Sequence, residues 1–176
     1  VRIAITVSAL LGVSYWPGDA PAAARVLFGT SDGRLIALNA RTGKPAADFG
    51  DNGVLDLRAG VAHKWPGTTA YAVTSPPAIF KDLVIVGPST QEQVSHGPSG
   101  DARAFNVRTG KLVWRFHTVP QPGEPGADTW PTGAWKDRAG PSLWGPMTVD
   151  AERGMVFLPV GNPADMSGMF SERAEI

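Results

Sequence analysis

The sequence predicts an all-β fold, a partial β-propeller of about two to three four-stranded blades, on three observations. First, one segment repeats without a gap: "GRLIALNARTGKP" at 33–45 returns as "GDARAFNVRTGKL" at 100–112. Second, the apolar runs are short and bounded by Gly, Pro, Asp and Asn, and none has the length and period of an amphipathic helix. Third, the runs come in antiparallel sets of four, the pattern of propeller blades. A β-sandwich would also use short strands, but it gives no reason for ungapped copies.

The elements follow in order. "VRIAITVSALLGV" at the start reads as a signal-like apolar run after one arginine, or as a buried strand, because Ile3, Ile5 and Val7 alternate. "ARVLFGT" (24–30) is a strand, Ser31-Asp32-Gly33 a turn, "RLIALNA" a second strand, and Arg41-Thr42-Gly43 a second turn. "SPPAIFKDLVIVG" (75–87) contains two strands around Lys81-Asp82. "DARAFNV" and "KLVWRFH" complete that set of four, with Thr109-Gly110-Lys111 turning into the outer strand. Trp114 on this outer strand is expected to wedge between its blade and the next. "GPMTVDAERGMVFLPVG" (145–161) repeats the opening strand pair around Glu152-Arg153-Gly154.

Composition narrows the function classes. Sixteen basic residues balance sixteen acidic ones without forming a basic stripe, which excludes nucleic acid as an expected partner. There is no cysteine, so no disulfide framework, thiolate metal site or Cys-x-x-Cys-His haem attachment is present. No run reaches the apolar length of a membrane span. His63, His96 and His117 are widely spaced, and solvated or capping roles suit them better than ligation.

Several stretches carry a family resemblance. The Ala-Phe-Asn-x-x-Thr-Gly-Lys-x-x-Trp pattern, together with "GVSYWPGD" (12–19), "TSPPAIFKDLVIVG" (74–87), "VWRFHTVPQPGE" (113–124) and "WGPMTVDAERGMVFLPVGNP" (144–163), resembles the quinoprotein dehydrogenases, the alcohol and sugar dehydrogenases that depend on pyrroloquinoline quinone (PQQ). The resemblance runs from about residue 12 to 165. It implies a tryptophan-docked propeller of eight blades, of which residues 12–176 would form a part, with 1–11 a divergent or truncated segment. An internal fragment is the expectation. Tryptophan-docked repeats also occur in non-catalytic propellers of the cell envelope, so a protein-interaction scaffold is the alternative.

What the resemblance implies for a site is specific. PQQ would lie flat on Trp144, with Ser142 bonding it from two residues before. Thr74 and Ser89 fall where the family contacts the cofactor, and Glu92 and Asn162 where it holds a metal, Ca²⁺ or another divalent cation. The residue types suit these roles. A planar quinone favours an aromatic face, its polar rim favours hydroxyl donors, and a hard cation favours carboxylate and carbonyl oxygens. Three departures stand out. Leu11 occupies the place of an arginine that bonds a PQQ carboxylate in the alcohol-oxidising branch. Thr90-Gln91-Glu92 replaces the usual Gly-Ala-Glu. The family's catalytic Asp belongs beyond the residues given, so no catalytic residue is assigned here. The expected setting is the periplasm or the periplasmic face of the inner membrane. The expected partners are a small alcohol or sugar, a cytochrome or quinone as electron acceptor, and the remaining propeller blades.

Overall fold

The computed structural model describes residues 12–65, 71–90, 94 and 96–162. In chain order the strands are β1 (Ser14–Trp16), β2 (Arg25–Gly29), β3 (Arg34–Asn39), β4 (Val54–Asp56), β5 (Tyr71–Ala72), β6 (Ala78–Phe80), β7 (Leu83–Val86), β8 (Ser89–Thr90), β9 (Ala102–Asn106), β10 (Leu112–Phe116), β11 (Thr148–Asp150) and β12 (Met155–Phe157). Strands β1-β2-β3-β4 form one antiparallel four-stranded sheet and β6-β7-β9-β10 a second. The β11–β12 hairpin begins a third unit, and β5 pairs with β8 in a two-residue ribbon. The described residues are therefore all-β apart from two short 3-10 turns, Ala127–Thr129 and Ala134–Lys136. This is the partial propeller expected from the repeat.

The repeated motif is a turn with its own internal logic. The Asn39 side-chain oxygen accepts the backbone N–H groups of Arg41 and Thr42, both at 3.0 Å. Asn106 does the same for Arg108 at 2.9 Å and Thr109 at 3.0 Å. Each turn then needs a left-handed residue, and Gly43 (φ 67°) and Gly110 (φ 72°) supply it without a Cβ penalty. Asp150 caps the β11–β12 turn in the same way, accepting from Glu152 at 3.1 Å and Arg153 at 3.0 Å.

Five elements were not legible in the sequence: β1, β4, the two strands β5 and β8 of the ribbon, and the excursion after Gly43. β1 and β4 are three residues each, too short for an alternating pattern, yet they complete the first sheet. After Gly43 the chain does not enter an outer strand at once, as it does after Gly110. Pro45 cannot donate to a strand ladder, and residues 45–53 make an excursion that buries Phe49 completely before β4 begins.

The core lies between the two sheets. Trp16, Leu27, Leu35, Phe49, Leu57, Tyr71, Val84, Val86, Phe105 and Val107 form one buried cluster there. The Trp16 indole N–H donates to the Lys81 carbonyl at 3.1 Å, so β1 carries a docking tryptophan that the sequence reading did not single out. Arg25 is buried beside it and donates to the carbonyls of Val107 at 3.1 Å and Arg108 at 2.7 Å, with Asp48 as its ion-pair partner at 2.5 Å. Trp114, half-buried on β10, lines the next seam with Phe80, Leu83 and Ile85, facing Val149 and Met155 of the hairpin.

Candidate functional site

Two successive steps between sheets are built alike. A Cβ on Gly29, at the end of β2, would meet the Val73 side chain at 2.3 Å, and one on Gly87, just after β7, would meet Leu143 at 2.3 Å. Only glycine lets the following segment lie so close. The Val73 N–H donates to the Thr30 carbonyl at 2.9 Å, and the Leu143 N–H to the Pro88 carbonyl at 2.8 Å. The next residues are Thr74 and Trp144. They occupy the same station at the start of successive units, each leading into the first strand of its sheet.

Hydrogen bonds fix the backbone around Trp144 on both sides. The Ser75 hydroxyl donates to the Trp144 carbonyl, and the Gly161 N–H donates to the Ser142 carbonyl at 2.8 Å. The Ser142 hydroxyl lies 3.0 Å from the Thr90 hydroxyl, accepts the Thr90 N–H at 3.0 Å and donates to the Thr90 carbonyl at 3.2 Å. The indole itself is 56% exposed. An aromatic face open beside a bonded backbone can receive a planar ligand.

The same bonds gather most of the sequence-predicted residues. Ser89 is half-buried in β8, paired with Ala72, two positions before the half-buried Thr74. Thr90, beside it, ties this ribbon to Ser142, and Ser142 ties to Gly161, which precedes the exposed Asn162. Thr74, Ser89, Trp144 and Asn162 thus belong to one bonded neighbourhood. Ser142 differs from the others. It is fully buried and its hydroxyl is engaged with Thr90, facing the ribbon rather than the open indole. Glu92 and Leu11 lie outside the described residues. Sequence reasoning missed Thr90 and Ser75. The signal for Ser75 was the parallel between "TSPP" and "WGPM", and Thr90 had none.

The remaining candidates for ligation are occupied elsewhere. His63 faces Asp56 at 3.1 Å, His96 faces Asp137 at 3.8 Å, and His117 bonds Glu124 at 2.8 Å. Among the described residues no group of three or more His, Cys, Asp or Glu side chains could hold a metal ion. Asn162 offers one neutral oxygen, so a cation there needs ligands from residues not described, of which Glu92 is the acidic one expected.

Comparison with known proteins matches residues 4–172 to the family described as "Glucose/ethanol/alcohol dehydrogenase, beta-propeller domain". Quinoprotein glucose dehydrogenase A of Acinetobacter calcoaceticus is 35% identical over 143 residues, which is 78% of this chain and 17% of that protein. The dehydrogenase subunit of the quinone alcohol dehydrogenase of Gluconacetobacter polyoxogenes is 36% identical over 174 residues, 86% of this chain and 20% of the relative. Among solved structures, the quinohemoprotein alcohol dehydrogenase of Comamonas testosteroni superposes with a TM-score of 0.67 at 31% identity, over 89% of this chain and 22% of that one. A europium-containing methanol dehydrogenase gives a TM-score of 0.65 at 25% identity, over 89% of this chain and 26% of its own. The chain spans about a fifth of the length of these curated relatives.

Proposed function

The chain belongs to the PQQ-dependent glucose/ethanol/alcohol dehydrogenase β-propeller family, and from that premise we propose that it forms part of the quinone- and metal-binding face of a dehydrogenase acting on an alcohol or sugar hydroxyl. The observation that carries the proposal is Trp144. Its indole is open while its neighbouring backbone groups are bonded, at the station that Thr74 occupies one sheet earlier.

The residues present fit a planar cofactor. Trp144 provides the floor, Thr74 and Ser89 provide hydroxyls near its edge, and Asn162 provides one oxygen toward a divalent cation, with Glu92 as the carboxylate. Ser142 acts through Thr90: it locks the β5–β8 ribbon to the segment bearing Trp144, so both sides of the floor move as one piece. Preorganisation of this kind lowers the ordering cost of binding. A bound quinone would supply the two-electron redox chemistry for oxidising the carbon that bears the substrate hydroxyl, and the cation would supply Lewis acidity. The protein's own contribution here is to orient and to exclude water beneath the ring. The remaining blades, a proton-accepting carboxylate outside this chain, a cytochrome or quinone acceptor and a periplasmic setting complete the proposed enzyme. The chain by itself is proposed to be inactive. The scaffold alternative has no observation in its favour.

The test uses the complete protein, titrated with PQQ at low and high Ca²⁺. Trp144→Ala is expected to weaken PQQ binding by about tenfold or more at either Ca²⁺ level, because a missing stacking face is not restored by metal. Asn162→Ala is expected to weaken it only at low Ca²⁺, since mass action offsets lost metal affinity. Equal rescue of both variants, or no defect in either, would make this neighbourhood structural.

A further inference from the structure

A cavity of about 210 Å³ opens at the ends of β9 and β10, under the turn at 134–138. It shares no lining residue with the Thr74–Trp144 neighbourhood. Its charged wall consists of Lys64, Arg115, Lys136 and Arg138 against Asp101 and Asp137. Four cations face two carboxylates.

Both carboxylates offset part of this charge, and among the described lining residues a positive excess remains. Asp101 is buried, accepts the Ser99 hydroxyl at 2.9 Å and the Thr118 N–H at 3.2 Å, and pairs with Arg115 at 4.0 Å. Asp137 is exposed and faces His96 at 3.8 Å. Lys64 donates to the Lys136 carbonyl at 2.8 Å, which ties the covering turn down over the cavity.

Behind this wall sits a third guanidinium. Arg103 is 4% exposed and donates to the Leu57 carbonyl at 2.5 Å and to the Tyr71 hydroxyl, neither of which carries a negative charge at neutral pH. Its Nε has no hydrogen-bond partner among the described residues. Burial, and to a lesser degree the charge of Arg115, push its pKa down against the opposing influence of Tyr71 and Asp101, while burial raises that of Tyr71. Among the described residues, the cavity wall and the interior behind it therefore carry more positive than negative charge, and such a field draws anions.

The remaining wall limits the shape of a ligand. Trp135, 41% exposed, offers an apolar edge. His117 is held by Glu124 at 2.8 Å and Gln121 at 3.0 Å, so this side is fixed and polar. A guanidinium beside ammonium groups recognises the oxygens of carboxylates and phosphates, which neutral polyols lack. We propose that this cavity binds a small organic oxyanion, a hydroxylated carboxylate or phosphate ester, held by Arg115, Lys64 and Lys136 in a cleft tied shut by the 134–138 turn. The volume is below the ~300 Å³ where drug-sized pockets begin, so a compact ligand fits best.

Calorimetric titration of the complete protein at low salt tests this, with glycerate and glycerol 3-phosphate as probes and glycerol as neutral control. Binding of at least one anion and not of glycerol is expected, and the tighter one identifies carboxylate or phosphate as the recognised group. Arg115→Gln is expected to weaken binding by about tenfold, and Lys136→Gln by a smaller factor. Lys136 lies on an exposed turn, so its variant decides the matter if Arg115→Gln fails to fold. No binding by either anion at ~10 mM, weaker than the mM range of specific small-ligand sites, overturns the proposal. So does equal binding of glycerol, or unchanged affinity in the folded variants. PQQ affinity in the same samples is expected to stay unchanged, so failure here and failure of the quinone reading are separately visible.

Discussion

The two copies of the repeated motif share their turn and differ in almost everything around it. Asn39 and Asn106 bond the same two backbone N–H groups, and Gly43 and Gly110 close the turns at nearly the same φ. Along the strands, however, equivalent positions meet different neighbours. Ile36 and Leu38 of β3 are half-buried, whereas their counterparts on β9, Arg103 and Phe105, are buried against the first sheet. Arg41 is exposed, whereas Arg108 pairs with Asp19 and Asp82 and lies 5.1 Å from the centre of the Trp16 ring. Local sequence sets the turn. What the face of a strand does depends on which sheet lies against it.

Paired substitutions turn this comparison into measurements, beginning with the largest effect. Arg103→Ala is expected to cost about 3–5 kcal/mol, because it leaves a cavity and strands the Leu57 carbonyl and the Tyr71 hydroxyl. Ile36→Ala, at the equivalent position of the other copy, is expected to cost about 1–2 kcal/mol, below the range for fully buried residues. Denaturant unfolding of the 176-residue chain, to which these burials apply, measures both. Equal costs would break the comparison and show that the outer face of the first sheet is covered as tightly as the inner one.

The turns should behave as equals. Asn39→Ala and Asn106→Ala each remove one acceptor serving two N–H groups, and each is expected to cost about 1 kcal/mol by the same unfolding assay. A large difference between them would mean that packing, and not the turn itself, sets their value.

The smallest effect concerns pH. The hydrogen bonds of Arg108 hold the Asp19 carboxyl below its ordinary value of 3.8, against a weaker opposing effect of burial. A depressed carboxyl stabilises the fold fully above about pH 4, and that contribution disappears as pH falls through the folded value. Asp19→Asn should therefore lower the unfolding midpoint near neutral pH, with the gap to the natural protein closing in acid. Both residues are at the surface, so the gap is expected to be small and to shrink with salt. A gap that persists at pH 2 would trace the loss to packing.

The candidate site was only partly legible. Trp144 and Asn162 stood out only through the resemblance to the quinoprotein dehydrogenases, which implies a cofactor floor and a metal ligand at those two places. The resemblance implies Ser142 as a cofactor contact, and in this structure its hydroxyl bonds Thr90. A linear sequence does not show which way a hydroxyl on an extended segment points. The anion-binding cavity was not legible at all, since Lys64, Asp101, Arg115 and Lys136 come from four separate segments.

By itself the sequence determined the all-β class, the repeat, the Asn-x-Arg-Thr-Gly-Lys turns and the family. The first three rest on local chemistry, an Asx acceptor, a left-handed glycine and short alternating runs, and the family rests on resemblance. The tertiary structure decided the rest. It recruited the three-residue strands β1 and β4, whose own propensity is negligible, because adjacent ladders satisfy their backbone groups. It placed Trp16 in the seam between the sheets, buried Arg103 on the face whose counterpart carries Ile36, and left the Trp144 indole open on a bonded backbone. Burial is a property of neighbours brought together across the chain, and no local pattern encodes which neighbour arrives.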